Sequence, residues 1–144
     1  MKKVTFLPYA SASALPSETP MIAIGSPHQH YVYKEVHENR LELKFNDKRW
    51  EGPEMFTMEQ ANMVLRFVDR MPEDKTLVVH CGMGMSRSAA VAKFLTDFMG
   101  YELDARYPGC LGSTDDKNYH VYETLAEAYF LREEQVLQQQ EALA

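Results

Sequence analysis

The protein has 144 residues, which is enough for one domain with a buried core and too few for two. Hydrophobic residues make up 45% of the chain and charged residues 25%, and no apolar run reaches the roughly 18 residues that span a bilayer, so the sequence predicts a globular protein without a membrane segment. A net charge of −6 argues against a nucleic-acid partner, because a nucleic-acid-binding face is normally basic.

The two cysteines, Cys81 and Cys110, are too few for a disulfide framework. They favour a reducing compartment, so we expect a cytoplasmic protein. The N-terminus begins with basic and apolar residues, but Pro8 and Tyr9 interrupt the apolar run too early for a secretion signal. We expect one domain over residues 1–144, with a Gln-rich tail, residues 134–144, that frays.

Four short segments are predicted to be strands. Apolar runs bounded by Pro, Ser or Gly occur at VTFLPY, residues 4–9, and MIAIG, residues 21–25, with a loop between them. LELKF, residues 41–45, alternates apolar with charged side chains, which predicts a strand with one solvent-exposed face, and a long loop follows it. TLVVH, residues 76–80, is β-branched and apolar, which suits a buried parallel strand.

The first long helix is predicted over residues 57–71. Thr57 lies three residues before Gln60, which is the spacing of a capping box. Apolar residues then recur at helical spacing until Pro72, which cannot continue a helix.

Two more helices are predicted in the second half of the chain. One starts at Ser86 and ends before Gly100, a residue type that favours the position just after a helix. Residues 101–116 have the composition of a loop. The last helix is predicted to begin near Asn118. Because strands and helices alternate, the sequence predicts an α/β fold with a central, mainly parallel sheet flanked by helices.

The stretch HCGMGMSRS, residues 80–88, has the composition of an anion-binding loop. Between Cys81 and Arg87 lie five small or flexible residues: Gly82, Met83, Gly84, Met85 and Ser86. Such a loop after a strand can curl so that its N–H groups point at one centre, and the following helix adds the partial positive charge of its N-terminus. The guanidinium of Arg87 can bind two phosphate oxygens at once. The loop N–H groups and the helix N-terminus favour the thiolate form of Cys81. The stretch therefore predicts a phosphate site with a sulfur nucleophile at its base.

His80-Cys81, five residues and Arg87-Ser88 match the signature HCxxxxxR[ST], and through it the chain resembles the cysteine-based protein tyrosine phosphatases. The small dual-specificity members found in bacteria and phages are the most similar type. The signature covers nine residues, and a weaker resemblance extends over about residues 41–125. The resemblance implies a protein tyrosine phosphatase-like fold and a phosphatase that needs neither metal nor other cofactor.

The resemblance also implies roles for individual residues. Cys81 would attack phosphorus and form a cysteinyl-phosphate that water then hydrolyses. Arg87 and the loop amides would stabilise charge on the phosphoryl oxygens, and Ser88 would hydrogen-bond the sulfur. His80 would support the loop, and Asn118 would either brace the loop or simply cap the last helix.

The family uses a general acid on a separate loop, and Asp47 is the candidate because it ends a predicted strand and begins a long loop. A plain turn residue is the alternative reading of Asp47. The family's WPD tripeptide is absent, since Trp50 follows the aspartate instead of preceding it. Glu51 and Glu54 therefore remain alternatives for the acid.

The expected partner is a phosphorylated protein or peptide, with phosphotyrosine preferred and phosphoserine or phosphothreonine tolerated. Met83 and Met85 at the lip of the pocket suit an aromatic ring, and the loop lacks the lysines typical of inositol-lipid phosphatases. A local excess of basic residues over 40–49 either steers this partner or forms a solvated strand edge. Cys110 is either an inert thiol or a redox partner of Cys81.

Other functions of a thiolate in an anion loop stay open. They are an RNA 5′-triphosphatase, a sulfurtransferase, an arsenate reductase and a phosphate-binding module without turnover. The acidic net charge argues against the RNA 5′-triphosphatase. A sulfurtransferase or an arsenate reductase would have less use for Ser88 and for an upstream acid.

Overall fold

The described part of the chain forms a five-stranded parallel sheet with helices packed against it. The computed structural model describes residues 2–47, 54–82 and 86–143. The strands are β1 (Lys3–Pro8), β2 (Met21–Gly25), β3 (Arg40–Lys44), β4 (Leu77–Cys81) and β5 (Glu102–Leu103). The helices are α1 (Tyr9–Ala12), α2 (Met58–Asp69), α3 (Arg87–Phe98) and α4 (Tyr119–Leu143). Every pairing is parallel, in the order β3-β2-β4-β1-β5, so the predicted α/β class is confirmed.

Strand β4 occupies the middle of the sheet and is buried along its whole length. Val79 pairs with Phe6 of β1 on one side and with Ile22 of β2 on the other. Burial on both faces explains why this strand is a continuous apolar run rather than an alternating one. Its last residue is Cys81, so the thiol lies at the carboxyl edge of the strands, where open α/β sheets bind their ligands.

The two faces of the sheet are covered differently. Helices α2, α3 and α4 contribute to one large apolar cluster with the sheet, which includes Phe45, Phe94 and Leu125. The opposite face carries a small cluster around Leu7 and Val78, covered by α1 and by connecting segments. The three long helices thus cover one face of the sheet. The loop of residues 82–86, called the phosphate loop after its predicted role, connects β4 of the sheet to α3 of that helical layer.

The predicted start of α2 and the predicted end of α3 are confirmed, while α2 ends at Asp69, two residues before the predicted end at residue 71. The Thr57 hydroxyl accepts from the Gln60 amide at 3.1 Å, and Gln60 Oε1 accepts from the Thr57 amide at 3.0 Å, which completes the capping box. Gly100 follows α3 with a φ of 72°, a left-handed conformation that glycine adopts without strain. Helix α4 continues through the Gln-rich segment to Leu143 with its last residues exposed. None of the helices in the described ranges is both long and apolar enough to cross a bilayer.

Two short elements differ from the predictions. Tyr9–Ala12 is a helical turn, closed by the Ser13 amide donating to the Tyr9 carbonyl at 2.8 Å, where the sequence predicted a strand end and a loop. Glu102–Leu103 pairs with β1 inside the segment predicted as loop. A two-residue strand shows no alternation, so only its pairing with the neighbouring strand reveals it.

Candidate active site

Cys81 and Ser88 lie at the two ends of the phosphate loop, the first at the end of β4 and the second in the first turn of α3. The Cys81 Sγ and the Ser88 Oγ are 3.4 Å apart. Both side chains are buried, with 3% and 0% of their surface exposed. A hydroxyl at this distance can donate a hydrogen bond to the sulfur whenever the sulfur carries negative charge.

Arg87 is the first residue of α3, and only 8% of its surface is exposed. Its Nη1 donates to the Phe45 carbonyl at 2.9 Å and to the Ser26 hydroxyl at 3.4 Å. Its Nε is buried and has no hydrogen-bond partner in the described part of the chain. No carboxylate of that part forms an ion pair with this guanidinium. A buried cation without a counter-ion is costly, so the arrangement favours an anionic ligand.

The described ends of the phosphate loop are tied to the surrounding fold. The Gly82 carbonyl accepts from the Tyr9 amide at 3.1 Å. The Ser86 carbonyl accepts from the amides of Ala90 and Asn118, each at 3.1 Å. Ser86 is the N-cap of α3, but its side chain does not cap that helix. Met83, Gly84 and Met85, which were predicted to bind phosphate through their amides, lie outside the described residues.

Asp47 lies beside the loop and is exposed. Its Oδ1 accepts from the Ser86 hydroxyl at 3.0 Å and from Asn118 Nδ2 at 2.7 Å. Its Oδ2 receives no hydrogen bond from the residues that the structure describes. One carboxylate oxygen is therefore fixed by the loop and by the start of α4.

The two alternative acids have different positions. Glu54 Oε2 accepts from Asn46 Nδ2 at 3.1 Å, and the Glu54 carbonyl accepts from the Asn46 amide at 2.7 Å. Glu54 also has a φ of 63°, a left-handed conformation uncommon for residues other than glycine. These contacts bring the two ends of the segment that contains Asp47 together. Glu51, like Trp50, lies outside the described residues.

Asn118 is fully buried and serves two elements at once. Its Oδ1 accepts from the Val121 amide at 3.2 Å, which caps α4, while its Nδ2 donates to Asp47 and its backbone N–H to Ser86. The two roles considered for Asn118 from the sequence, helix cap and brace, therefore occur together.

His80 lies under the loop, fully buried, with its Nε2 2.6 Å from the Tyr33 hydroxyl. Burial lowers the pKa of His80 to about 4, and a contact with the Cys81 backbone opposes this shift only in part. The His80 Nδ1 makes no well-formed hydrogen bond within the described ranges. Burial also raises the pKa of Tyr33, so the phenol stays protonated. His80 is therefore a neutral, structural imidazole at physiological pH.

An aromatic wall beside the loop was not predicted from the sequence. The rings of Tyr9 and Tyr31 stack with centroids 4.5 Å apart. The Tyr31 hydroxyl donates to the Ile24 carbonyl at 2.8 Å and lies 3.2 Å from Gln29 Oε1. A Cβ built on Gly82 would lie 3.7 Å from Gln29 Nε2 and 3.9 Å from the Tyr31 hydroxyl. Tyr9, Gln29 and Tyr31 therefore line the side of the loop at its first residue.

A signal for this wall was present in the sequence. The run HQHYVY, residues 28–33, follows β2, which is a neighbour of β4 in the sheet. Segments that leave the carboxyl ends of neighbouring strands meet at the same edge of a parallel sheet. Knowledge of the strand order would have placed this run beside Cys81.

Two further predictions concern charge and redox chemistry. The Arg40 guanidinium lies 4.5 Å from the Tyr33 ring centroid and 3.2 Å from a Glu42 carboxylate oxygen, and the Lys44 ammonium contacts the Gln29 carbonyl. The described half of the basic window is thus engaged within the fold, and Lys48 and Arg49 lie outside the described residues. Cys110 is a free, half-buried thiol packed against the small apolar cluster.

Comparisons with models of protein families and with curated proteins found no match for this chain. Within the described ranges, no group of three His, Cys, Asp or Glu side chains is arranged to hold a metal ion. The site consists of a buried thiol beside a hydroxyl, a buried cation that has no counter-ion among the described residues, and an aspartate fixed through one oxygen. Together these groups can carry out nucleophilic substitution at an anionic centre.

Proposed function

We propose that the protein is a cysteine-dependent phosphatase of the protein tyrosine phosphatase type, which hydrolyses phosphotyrosine in proteins or peptides. The observation that carries this proposal is the buried Arg87 guanidinium, whose Nε has no partner within the described chain. A phosphoryl group bound above Cys81 would supply both the missing hydrogen-bond acceptors and the missing negative charge. A cytoplasmic setting, which the two free thiols favour, is part of the proposal.

The orientation of Arg87 supports two-point binding of phosphate. The contacts of Nη1 with Phe45 and Ser26 fix the plane of the guanidinium. The edge formed by Nε and Nη2 can then bind two phosphoryl oxygens, a geometry that lysine cannot reproduce. The N-terminus of α3 lies at the same place and adds partial positive charge.

In the first step the Cys81 thiolate attacks phosphorus, so an S–P bond forms while the bond between phosphorus and the tyrosyl oxygen breaks. Asp47 gives its proton to that leaving oxygen, and tyrosine departs neutral. Arg87 and the loop amides stabilise the charge on the three remaining phosphoryl oxygens.

In the second step water attacks the cysteinyl-phosphate and passes a proton to the Asp47 carboxylate. The S–P bond breaks, its electron pair returns to sulfur, and inorganic phosphate leaves. The Ser88 hydroxyl, 3.4 Å from the sulfur, donates a hydrogen bond to the thiolate that forms.

The aromatic wall supports phosphotyrosine as the preferred substrate. Tyr9 and Tyr31 present stacked rings next to Gly82, at the side of the proposed phosphate site. A tyrosyl ring can pack against such a surface, whereas the short side chain of phosphoserine cannot reach it.

The proposal is tested by hydrolysis of para-nitrophenyl phosphate in EDTA, comparing the wild type with Cys81→Ser and with the control Cys110→Ser. We expect turnover in the wild type and in Cys110→Ser, and none in Cys81→Ser. Phosphotyrosine peptides should also show a higher kcat/KM than phosphoserine peptides of the same sequence. A wild type that binds phosphate without turning over any phosphomonoester would instead be a phosphate-binding module, and release of phosphate from 5′-triphosphate RNA alone would indicate an RNA triphosphatase.

A further inference from the structure

An open groove of about 700 Å³ lies between the N-terminal end of α2 and the first turns of α4. Its apolar lining comes from Met55, Phe56, Met58 and Met63. Met55 and Phe56 are buried, and the other two are half-buried, so the floor belongs to the packed core. None of the groups that bind or attack phosphate in the proposed reaction lines this groove.

The groove begins next to the residues that hold Asp47. Glu54, on one wall, is hydrogen-bonded to Asn46, the neighbour of Asp47 in the chain. His120, on the other wall, follows two residues after Asn118, and its Nε2 lies 2.9 Å from the Phe56 carbonyl. The groove therefore adjoins the segment that carries Asp47.

The charged groups that the described residues place around the groove are mostly acidic. Among them, Glu54, Glu59 and Glu127 line it together with a single lysine, Lys44. The Lys44 ammonium contacts the Gln29 carbonyl, so part of its hydrogen-bonding capacity is used within the fold. Glu59 and Glu127 are exposed and form no ion pair with any residue that the structure describes. The groove therefore favours a cationic occupant.

The combination of an apolar floor and acidic walls fits the two parts of a lysine or arginine side chain. The methylene stem can lie over the adaptable thioethers of the floor, while the charged head reaches the carboxylates. We propose, resting on the proposed phosphatase function, that the groove binds a basic polypeptide segment next to the phosphorylated residue. The substrate class is then phosphotyrosine proteins with lysine or arginine near the modified tyrosine.

The test compares kcat/KM for three phosphotyrosine peptides of equal length with basic, neutral or acidic residues beside the tyrosine. The wild type should prefer the basic over the neutral peptide by about five- to tenfold at low salt, as expected for two or three partly exposed charge pairs. The preference should fall as ionic strength rises. In the double variant Glu59→Gln/Glu127→Gln it should shrink to about twofold or less, while hydrolysis of para-nitrophenyl phosphate stays unchanged.

The matched control is Glu133→Gln/Glu134→Gln, which removes the same two charges from exposed positions on α4 outside the groove. It should keep the full preference for the basic peptide. Equal kcat/KM for the three peptides in the wild type would overturn the proposal, and so would an equal loss of preference in both double variants.

The two proposals can fail separately. If no phosphomonoester is hydrolysed, the phosphatase proposal fails, and the groove is then tested by fluorescence polarisation with an unphosphorylated, labelled peptide rich in lysine and arginine. Weaker binding by Glu59→Gln/Glu127→Gln than by the wild type and the control would support the groove as a site for basic peptides. Equal binding by all three proteins would overturn it.

Discussion

Asn118 Nδ2 donates to Asp47 Oδ1 across 2.7 Å, although 71 positions separate the two residues in the chain. The same asparagine caps α4 through its Oδ1, so one side chain links the start of the last helix to the proposed acid. Since Oδ1 is occupied, we expect Oδ2 to carry the proton that reaches the leaving group.

Replacement of Asp47 by asparagine should remove the alkaline limb of the pH–rate profile. A general acid works only while protonated, so kcat of the wild type should fall on the alkaline side of the profile. The Asp47→Asn variant cannot donate a proton, and its kcat for phosphotyrosine peptides should be lower by about 10²-fold or more and independent of pH on that side. Glu54→Gln is the control, because its carboxylate accepts from Asn46. An alkaline limb that disappears in Glu54→Gln and survives in Asp47→Asn would assign the acid to Glu54.

Removal of the Ser88 hydroxyl should slow the second chemical step more than the first. The hydroxyl stabilises sulfur as a leaving group, and a hydrogen bond to a charged group contributes about 1.5–3 kcal/mol, which corresponds to about 10- to 100-fold in rate. Rapid mixing of Ser88→Ala with para-nitrophenyl phosphate should therefore show a burst of nitrophenol followed by slow turnover, with cysteinyl-phosphate accumulating. The exposed Ser113 provides the control variant Ser113→Ala, which should behave as the wild type. Absence of a burst together with unchanged kcat would contradict this role of Ser88.

Inorganic phosphate should stabilise the wild type against heat and should do so through Arg87. A ligand that binds only the folded state at 100 times its Kd stabilises it by about 2.7 kcal/mol. In Arg87→Lys, which loses the two-point grip, we expect a much smaller rise of Tm and a kcat lower by about 10²- to 10³-fold. The control is Arg132→Lys, which changes the surface ion pair between Arg132 and Asp69, whose atoms lie 2.7 Å apart. This variant should keep the wild-type rise of Tm and the wild-type kcat. A phosphate-induced rise of Tm that is the same in Arg87→Lys and the wild type would place the anion elsewhere.

Burial of His80 should make the protein less stable in acid. The pKa of His80 is lowered from 6.5 to about 4. Below pH 6.5 the imidazole of His80 therefore binds a proton in the unfolded chain but stays neutral in the folded chain. The contribution of neutral His80 is complete above pH 6.5 and is lost as pH falls toward 4, a change of about 3 kcal/mol.

Urea unfolding at pH 7 and pH 4.5 checks this expectation. His80→Gln should show a smaller loss of unfolding free energy between the two pH values than the wild type. His28 is exposed, so His28→Gln should keep the wild-type loss. An identical pH dependence in all three proteins would show that His80 titrates normally in the folded state.

Local signals in the sequence predicted the elements that carry the site. The capping box of α2, the β-branched run of β4 and the glycine after α3 each act within a few residues, so their effect can be read from the chain directly. The pairing of β5 depends on a neighbour distant in sequence, and it was missed. The helical turn at Tyr9 was also missed, because four residues are too few to show helical periodicity.

The partners of the predicted site residues could not be derived from the sequence for the same reason. Asp47 was a candidate because it ends a strand, but its hydrogen bonds with Ser86 and Asn118 arise from packing of the loop against α4. The hydrogen bond of Arg87 with the Phe45 carbonyl spans 42 positions. Its acceptor is a backbone carbonyl, which every residue type has, so the amino-acid type at position 45 gives no sign of it.

The strand order gives β4 a particular part in folding. In the sheet, β4 lies between the strand pair β3-β2 and the strand pair β1-β5. These two pairs form no backbone hydrogen bonds with each other and are joined through β4. A folding intermediate that lacks β4 therefore has two separate fragments of sheet and no thiol at their edge. Insertion of this strand completes the sheet and buries Cys81 at its edge in the same step, so burial of this thiol during refolding reports the completion of the sheet itself.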